Sequence, residues 1–235
     1  MTAVPLFGWD APGPYVAVFS TRIGGVSEGP FDSLNLGKLT DDDPGCVEEN
    51  RRRLCAGAGV DPAALTFNRQ VHGADVHAAG TSGRDGDALW SERPGEAMVV
   101  FTADCLPVAL ARASGEPGLA ALHVGWRGLL TGIVERAAQA LGVGTFTAVV
   151  GPGIGRCCYE VGEEVAGPFR TRFGPRVLDG SRLDLRAATE QALREAGAVA
   201  VDHVDLCTAC RGDLFFSHRR DGSRTGRQGM LAHVA

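Results

Sequence analysis

Three side chains in this sequence carry the ligand chemistry of a transition metal: the imidazoles of His72 and His123 and the thiol of Cys105. Two nitrogens and one sulfur suit zinc, a borderline-soft ion, whereas calcium or magnesium would ask for oxygens. Three protein ligands leave one tetrahedral position for water or substrate, the arrangement of a catalytic zinc. Asp104, next to the thiol, would then orient a ligand from outside the coordination sphere. The same residues support a metal-free reading, with Cys105 as nucleophile and His123 as its activating base, the pairing of a cysteine hydrolase. That reading needs a lowered thiol pKa, which a neighbouring imidazolium would supply and a negative Asp104 would oppose. Positions 72, 105 and 123 fit no compact ligand motif, so at this point both readings stand open.

Other residues suit anions or thiol chemistry. Arg22 precedes the Gly24-Gly25 turn, and Arg127 lies between Gly125 and Gly128. A guanidinium beside a tight turn matches an anionic ligand, and for Arg22 a solvated side chain at a strand exit is an equal alternative. Cys207-Thr208-Ala209-Cys210 together with Cys157-Cys158 offers four thiols. One C-x-x-C is half of a four-thiolate zinc signature and adjacent cysteines an unusual other half, so separate buried thiols weigh more. The cluster His218, Arg219, Arg220, Arg224 and Arg227 could hold a phosphate, but a solvated hairpin is the simpler reading.

The elements that must position these groups are legible as patterns. Apolar runs at Met98 to Thr102 and Leu119 to Leu122 read as strands that deliver Asp104, Cys105 and His123. Leu65 to His72 and Ala74 to Ala78 read as strands bent at Gly73, and Tyr15 to Phe19, Thr145 to Val150 and Val199 to Val204 as further strands. Asp43-Pro44 marks a helix running to about Ala58, with Asp as N-cap and Gly59 as its stop. Its Arg51 to Arg53 triplet reads as a solvated face paired with Glu48 and Glu49. Helical spacing continues from Leu129 to Leu141, over Glu163 to Phe173, and from an Asp184 cap to Ala196. Strands and helices mixed without strict alternation favour a mixed sheet or two sheets covered by helices. No linker is long enough to divide the chain, so one domain is expected.

The 235 residues are 44% hydrophobic and 22% charged, ordinary for a globular protein with a substantial core. A net charge of −5 argues against a nucleic-acid binder. The seven cysteines are an odd number, and the N-terminal residues show no secretory pattern. A reducing, cytoplasmic setting with thiols or metal ligands is therefore expected. The apolar run near residue 100 is broken by Asp104, so no membrane span is expected.

Taken in order, SxRxGGVS at Ser20 to Ser27, SLNLG at Ser33 to Gly37, ENR at Glu49 to Arg51, QVHG at Gln70 to Gly73 and TADCLPV at Thr102 to Val108 make a recognisable series. It continues with HVGWRG at His123 to Gly128, GPGIGRCCYEVG at Gly151 to Gly162, FFSHRRDG at Phe215 to Gly222 and TGRQG at Thr225 to Gly229. The set closely resembles the YfiH-type bacterial family, long labelled multicopper polyphenol oxidase or laccase-domain proteins and later recognised as purine nucleoside phosphorylases. The resemblance implies a single α/β/β/α mixed-sandwich domain over residues 1–235, similar to cysteine-hydrolase-like toxin domains. It implies zinc on His72, Cys105 and His123, and phosphorolysis of adenosine, inosine and methylthioadenosine-type nucleosides to base and ribose 1-phosphate. Adenosine deamination is a further activity it implies. Arg22 and Arg127 become the candidates for phosphate, and Asp104 and Glu160 for proton transfer beside Cys105. Trp90-Ser91 and Cys210 depart from the family pattern. A copper-dependent phenol oxidase fits poorly, because six histidines are too few for several copper centres.

Overall fold

Period-two alternation along the strands sorts the apolar side chains into separate cores, and the two sheets follow from that sorting. The structure, a computed structural model, describes residues 4–235. The first half runs β1 (Leu6–Gly8), β2 (Tyr15–Ser20), α1 (Pro44–Ala58), β3 (Leu65–Thr66), β4 (Val76–Ala78), β5 (Ala88–Ser91), β6 (Ala97–Thr102), β7 (Leu106–Arg112) and β8 (Leu119–Val124). The second runs α2 (Trp126–Leu130), α3 (Ile133–Leu141), β9 (Phe146–Val150), α4 (Glu163–Phe173), β10 (Leu178–Asp179), β11 (Arg182–Leu183), α5 (Leu185–Glu195), β12 (Ala198–His203), α6 (His218–Asp221) and β13 (Gln228–Val234).

One sheet has the order β1-β2-β13-β6-β3, the other β12-β9-β7-β8-β5-β4, and β10 and β11 form a separate pair. Along β6, Met98 and Val100 face one core while Ala97 and Val99 face another; along β7, Ala109 and Ala111 oppose Val108 and Leu110. The shared inner core joins Phe19, Met98 and Met230 of the first sheet to Ala109, Ala121 and Val149 of the second. Small alanines on one side admit the large side chains of the other, as close packing demands. Leu54 of α1 covers the outer face of the first sheet, while α3, α4 and α5 cover that of the second. The layers are therefore helix, sheet, sheet, helix, a mixed α/β fold. Fully burying each Leu or Val in such a core contributes about 1.5–3 kcal/mol. Among the described residues no helix is long and apolar enough to cross a membrane.

The capping signals act as expected. Asp43 accepts from Cys46 N–H at 3.0 Å, Asp184 accepts from Ala187 N–H at 2.9 Å, and Gly59 ends α1 in the left-handed region at φ 70°. Four expectations are corrected. The strand expected to reach His72 stops at Thr66, and His72 itself turns to φ 60°. The helix expected from Leu129 begins at Trp126 and breaks at Thr131-Gly132, where Gly132 takes φ 87°. Arg51 is buried on the inner face of α1, donating to Leu36 C=O and stacked between Phe67 and Phe101, because two aromatic faces accept its flat cation. The basic tail is no hairpin: it forms α6 and leads into β13, which pairs with both β2 and β6 at the centre of its sheet.

A candidate metal centre at the strand ends

β7 and β8 are antiparallel neighbours with Pro107 opposite His123, so the residue before β7 and the last residues of β8 share one edge. Cys105 and His123 meet there. His72 arrives from the loop before β4, and the ligand atoms of the three lie within 4.8 Å of one another. The imidazoles of His72 and His123 stand edge to face, 4.9 Å apart at 77°. His123 is buried, Cys105 half-buried and His72 exposed, so the cluster opens to solvent on the His72 side.

A carboxylate that no motif marks in the sequence holds the His123 imidazole and the His72 backbone. Asp87, fully buried at the start of β5, receives His123 Nδ1–H on Oδ1 at 2.8 Å. The donor is assigned by chemistry, since an ionised carboxylate only accepts. The same oxygen accepts from His72 N–H at 2.9 Å, and Oδ2 accepts from Val71 N–H at 3.1 Å and Gly73 N–H at 2.7 Å. With Nδ1 engaged, His123 offers Nε2 to a ligand, the carboxylate–histidine arrangement found behind metal-binding imidazoles. The only trace in the sequence was a lone acidic residue at the head of the apolar run Ala88 to Trp90.

Glycines keep the edge open. A Cβ on Gly125 would lie 3.1 Å from His72 Cδ2 and 3.2 Å from Cys105 Sγ, and one on Gly128 would come within 2.6 Å of Gly73 C=O. The HVGWRG stretch thus brings α2 against the His72 loop where any side chain would intrude.

The charges are coupled. Burial pushes the Cys105 thiol up, but the His123 charge and hydrogen bonds from both imidazoles outweigh it and bring it down to about 6. Burial pushes His123 down, but the Cys105 thiolate and the Asp87 carboxylate lift it to about 9. Asp87 is raised by burial and lowered further by His123 and the backbone N–H groups, and stays below the ordinary carboxylate range. Without a metal the pair is thiolate and imidazolium. A divalent cation would replace the imidazolium proton as the thiolate's counter-charge. The donor set of two nitrogens and one sulfur, the pre-ionised thiolate and the Asp87-bound imidazole fit such an ion.

The other expected residues fall into two groups. Asp104, at φ 90°, gives its carboxylate to Thr208 Oγ1–H and Arg219 N–H, both at 2.7 Å, and so ties the 207–221 segment to the turn that carries Cys105. Arg127 is exposed, lies 4.5 Å over the Trp126 ring and makes no side-chain hydrogen bond among the described residues. Tyr159, not singled out from sequence, is pushed up to about 12 by burial and by the charges of Cys105 and Asp104, against Arg219 and Arg127. Arg227 is lowered by burial and supported by Cys105 and Asp104. These groups share the surroundings of the thiolate. Arg22 instead donates to Asp32 C=O at 2.7 Å and Gly212 C=O at 3.2 Å and stacks on Phe216. The Glu160 carboxylate accepts from Ser181 Oγ–H at 3.2 Å, and its carbonyl accepts from Arg219.

Known proteins share this arrangement of chain and fold. A family profile described as multi-copper polyphenol oxidoreductase laccase matches residues 16–235. A purine nucleoside phosphorylase of Pseudomonas aeruginosa is 43% identical over 234 residues, covering 95% of each chain. The purine nucleoside phosphorylase YfiH of Escherichia coli is 38% identical, covering 93% of each. The crystal structure of YlmD from Geobacillus stearothermophilus superposes with a TM-score of 0.92 at 30% identity, over 100% of this chain and 97% of that one. A crystal structure of a Neisseria meningitidis protein gives a TM-score of 0.89 at 32% identity, over 99% of both chains. With its profile match running from β2 to the last residue, this chain belongs to the laccase-domain family whose curated relatives are the YfiH-type purine nucleoside phosphorylases.

Proposed function

We propose that this chain is a zinc-containing purine nucleoside phosphorylase, one domain over residues 1–235. It cleaves adenosine, inosine and methylthioadenosine-type nucleosides with phosphate to base and ribose 1-phosphate, and deaminates adenosine. The observation that carries the reading is the convergence of His72, Cys105 and His123 on one solvent-facing point behind a buried carboxylate, in a chain 43% identical to a purine nucleoside phosphorylase. His72, Cys105 and His123 would hold the ion. When bound, zinc supplies Lewis acidity and positive charge at the open face.

The protein's own groups supply the rest. Arg127 binds phosphate, because its side chain is exposed and makes no hydrogen bond among the described residues, and a guanidinium matches phosphate oxygens in pairs. Arg22 is the second phosphate candidate, with two donors already engaged by carbonyls. Asp104 and Glu160 are the candidates to move a proton to or from the purine. Asp87 keeps His123 in one tautomer and orientation. A cytoplasmic setting accords with seven free thiols among the described residues.

A second reading rests on a specific geometry. Cys105, His123 and Asp87 line up as thiolate, imidazolium and orienting carboxylate, the parts of a metal-independent Cys-His hydrolase. The helix-sheet-sheet-helix layering, with a thiol and an imidazole at neighbouring strand ends, accords with a likeness to cysteine-hydrolase-like toxin domains. A copper-dependent phenol oxidase is the least supported, with one His-Cys-His group among the described residues.

Purified protein assayed with inosine, with and without phosphate, separates these readings. Phosphate-dependent release of hypoxanthine supports the phosphorylase. Phosphate-independent release by metal-free protein favours the hydrolase, and inert nucleosides with phenol turnover the oxidase. Ammonia released from adenosine tests the deaminase activity.

A further inference from the structure

Away from His72, the chain gathers a second set of soft ligands. The Sγ atoms of Cys157, Cys158, Cys207 and Cys210 all lie within 4.8 Å of one another, although the two pairs are about fifty residues apart in sequence. Cys210 Sγ is 3.5 Å from Cys157 Sγ and 3.4 Å from Cys158 Sγ. These separations are too long for a disulfide, whose sulfurs stand about 2.05 Å apart. They lie a few tenths of an ångström inside the spacing a tetrahedral zinc imposes, since Zn–S bonds of about 2.3 Å place neighbouring sulfurs about 3.8 Å apart, and the 4.8 Å limit on all four sulfurs encloses it. Thiols kept as small hydrophobes would be buried, yet Cys157 and Cys210 are exposed. The expectation of four unrelated buried thiols is therefore corrected.

The backbone around them favours a thiolate at Cys207 and leaves the sulfurs room. Gly155 N–H donates to Cys207 Sγ at 3.2 Å. A Cβ on Gly155 would stand 3.2 Å from both Cys157 Sγ and Cys207 Cβ, so the glycine leaves the sulfurs their space. The two segments lie side by side through a bridge between Gly153 and Cys207, with Thr208 N–H donating to Gly153 C=O at 3.1 Å. A hollow of about 700 Å³, bordered by Arg156, Asp179, Arg182, Cys157 and Cys207, leaves the cluster open to an entering ion.

We propose that Cys157, Cys158, Cys207 and Cys210 form a tetrahedral four-thiolate zinc site, closed to substrate, that clamps the Gly155–Glu160 segment to the Cys207–Arg211 loop. Each thiol that ionises on binding gives its proton to solvent, and no oxidant is needed. The clamp bears on the centre at Cys105 through Thr208, which sits inside the C-x-x-C loop and donates to Asp104, and through Ile154, whose N–H donates to Asp104 C=O at 2.7 Å. Its residues are separate from His72, Cys105 and His123, so this site stands or falls independently of the proposed activity.

Metal content of the full-length protein tests it. The wild type, purified under reducing conditions and given zinc alone, should hold two zinc ions per chain. Cys210→Ser, at an exposed position, should hold one, and Cys105→Ala should also hold one. Cobalt loaded into Cys105→Ala should show the strong visible bands and sulfur charge transfer of a four-thiolate tetrahedral ion. One zinc per wild-type chain with no loss in Cys210→Ser would overturn the proposal. So would a thiol count on the unreduced, denatured protein that falls two short of the seven cysteines, since that would reveal a disulfide.

Discussion

Asp87→Asn keeps the shape of the side chain and removes the charge that holds the His123 imidazole and the backbone of the His72 loop. Four hydrogen bonds converge on the carboxylate, from Val71, His72 and Gly73 N–H and from His123 Nδ1–H. An amide has one accepting oxygen, so one pair keeps its acceptor while the other meets an NH2 group, donor against donor. Leaving a buried donor unmade costs about 1–3 kcal/mol, and with two affected the metal-free protein should lose about 2–6 kcal/mol of stability. For the metal, loss of an orienting partner typically weakens affinity about 10- to 100-fold, or about 1.4–2.7 kcal/mol. An opposing effect can be separated by pH. Asp87 helps raise His123 to about 9, so its charge also strengthens the proton that competes with the metal. Asp87→Asn relieves that competition at neutral pH but not above about 9, where the imidazole is neutral in both proteins. The affinity deficit should therefore widen as pH rises. Competition with a chromophoric zinc chelator at both pH values reads the deficit, and thermal denaturation of the chelator-treated proteins reads the stability. Zinc affinity within twofold of the wild type at both pH values would refute the role assigned to Asp87.

Three further outcomes follow from the same geometry. Between about pH 6 and about pH 9 Cys105 is already a thiolate while His123 still holds its proton, so metal binding to Cys210→Ser, which keeps only the His72–Cys105–His123 centre, should release at least one proton per chain, and more below that window. Calorimetry in buffers of different ionisation enthalpy measures this, and zero release would contradict the thiolate–imidazolium pair. Gly128→Ala sets a Cβ 2.6 Å from Gly73 C=O, backbone against backbone, and should cost about 1–3 kcal/mol while loosening the His72 loop. An unchanged melting temperature and metal content would show that the loop yields freely. Arg127→Ala removes charge-assisted hydrogen bonds worth about 1.5–3 kcal/mol, so the KM for phosphate should rise about 10- to 100-fold with metal content intact. Unchanged phosphate kinetics would discard that assignment.

What the sequence disclosed was mostly what local physics decides. The Asp43 and Asp184 caps, the Gly59 stop, helix α4 and the strands that carry Cys105 and His123 follow from patterns within one element. The layers required more, because Val99 and Val100 look alike in sequence yet face different cores. Strand β13 was hidden because it is buried on both faces and reads as a featureless apolar run after a basic stretch. The type of His72 marks it as a ligand, but its φ of 60° goes with a backbone hydrogen bond to Asp87, a tertiary contact fifteen residues away that no periodicity records. The four-thiol cluster is hidden in the sequence for the same reason: the proximity of Cys158 and Cys210 comes from the fold, while their sequence separation argues against it.

The central claim is that the point where His72, Cys105 and His123 meet is where nucleosides react. Zinc content and inosine phosphorolysis measured side by side on wild type and Cys105→Ala test it most directly. The wild type should form hypoxanthine and ribose 1-phosphate in equal amounts and only with phosphate, and Cys105→Ala should lose both that activity and one equivalent of zinc. A correctly folded Cys105→Ala that cleaves inosine at the wild-type rate would place the chemistry somewhere else.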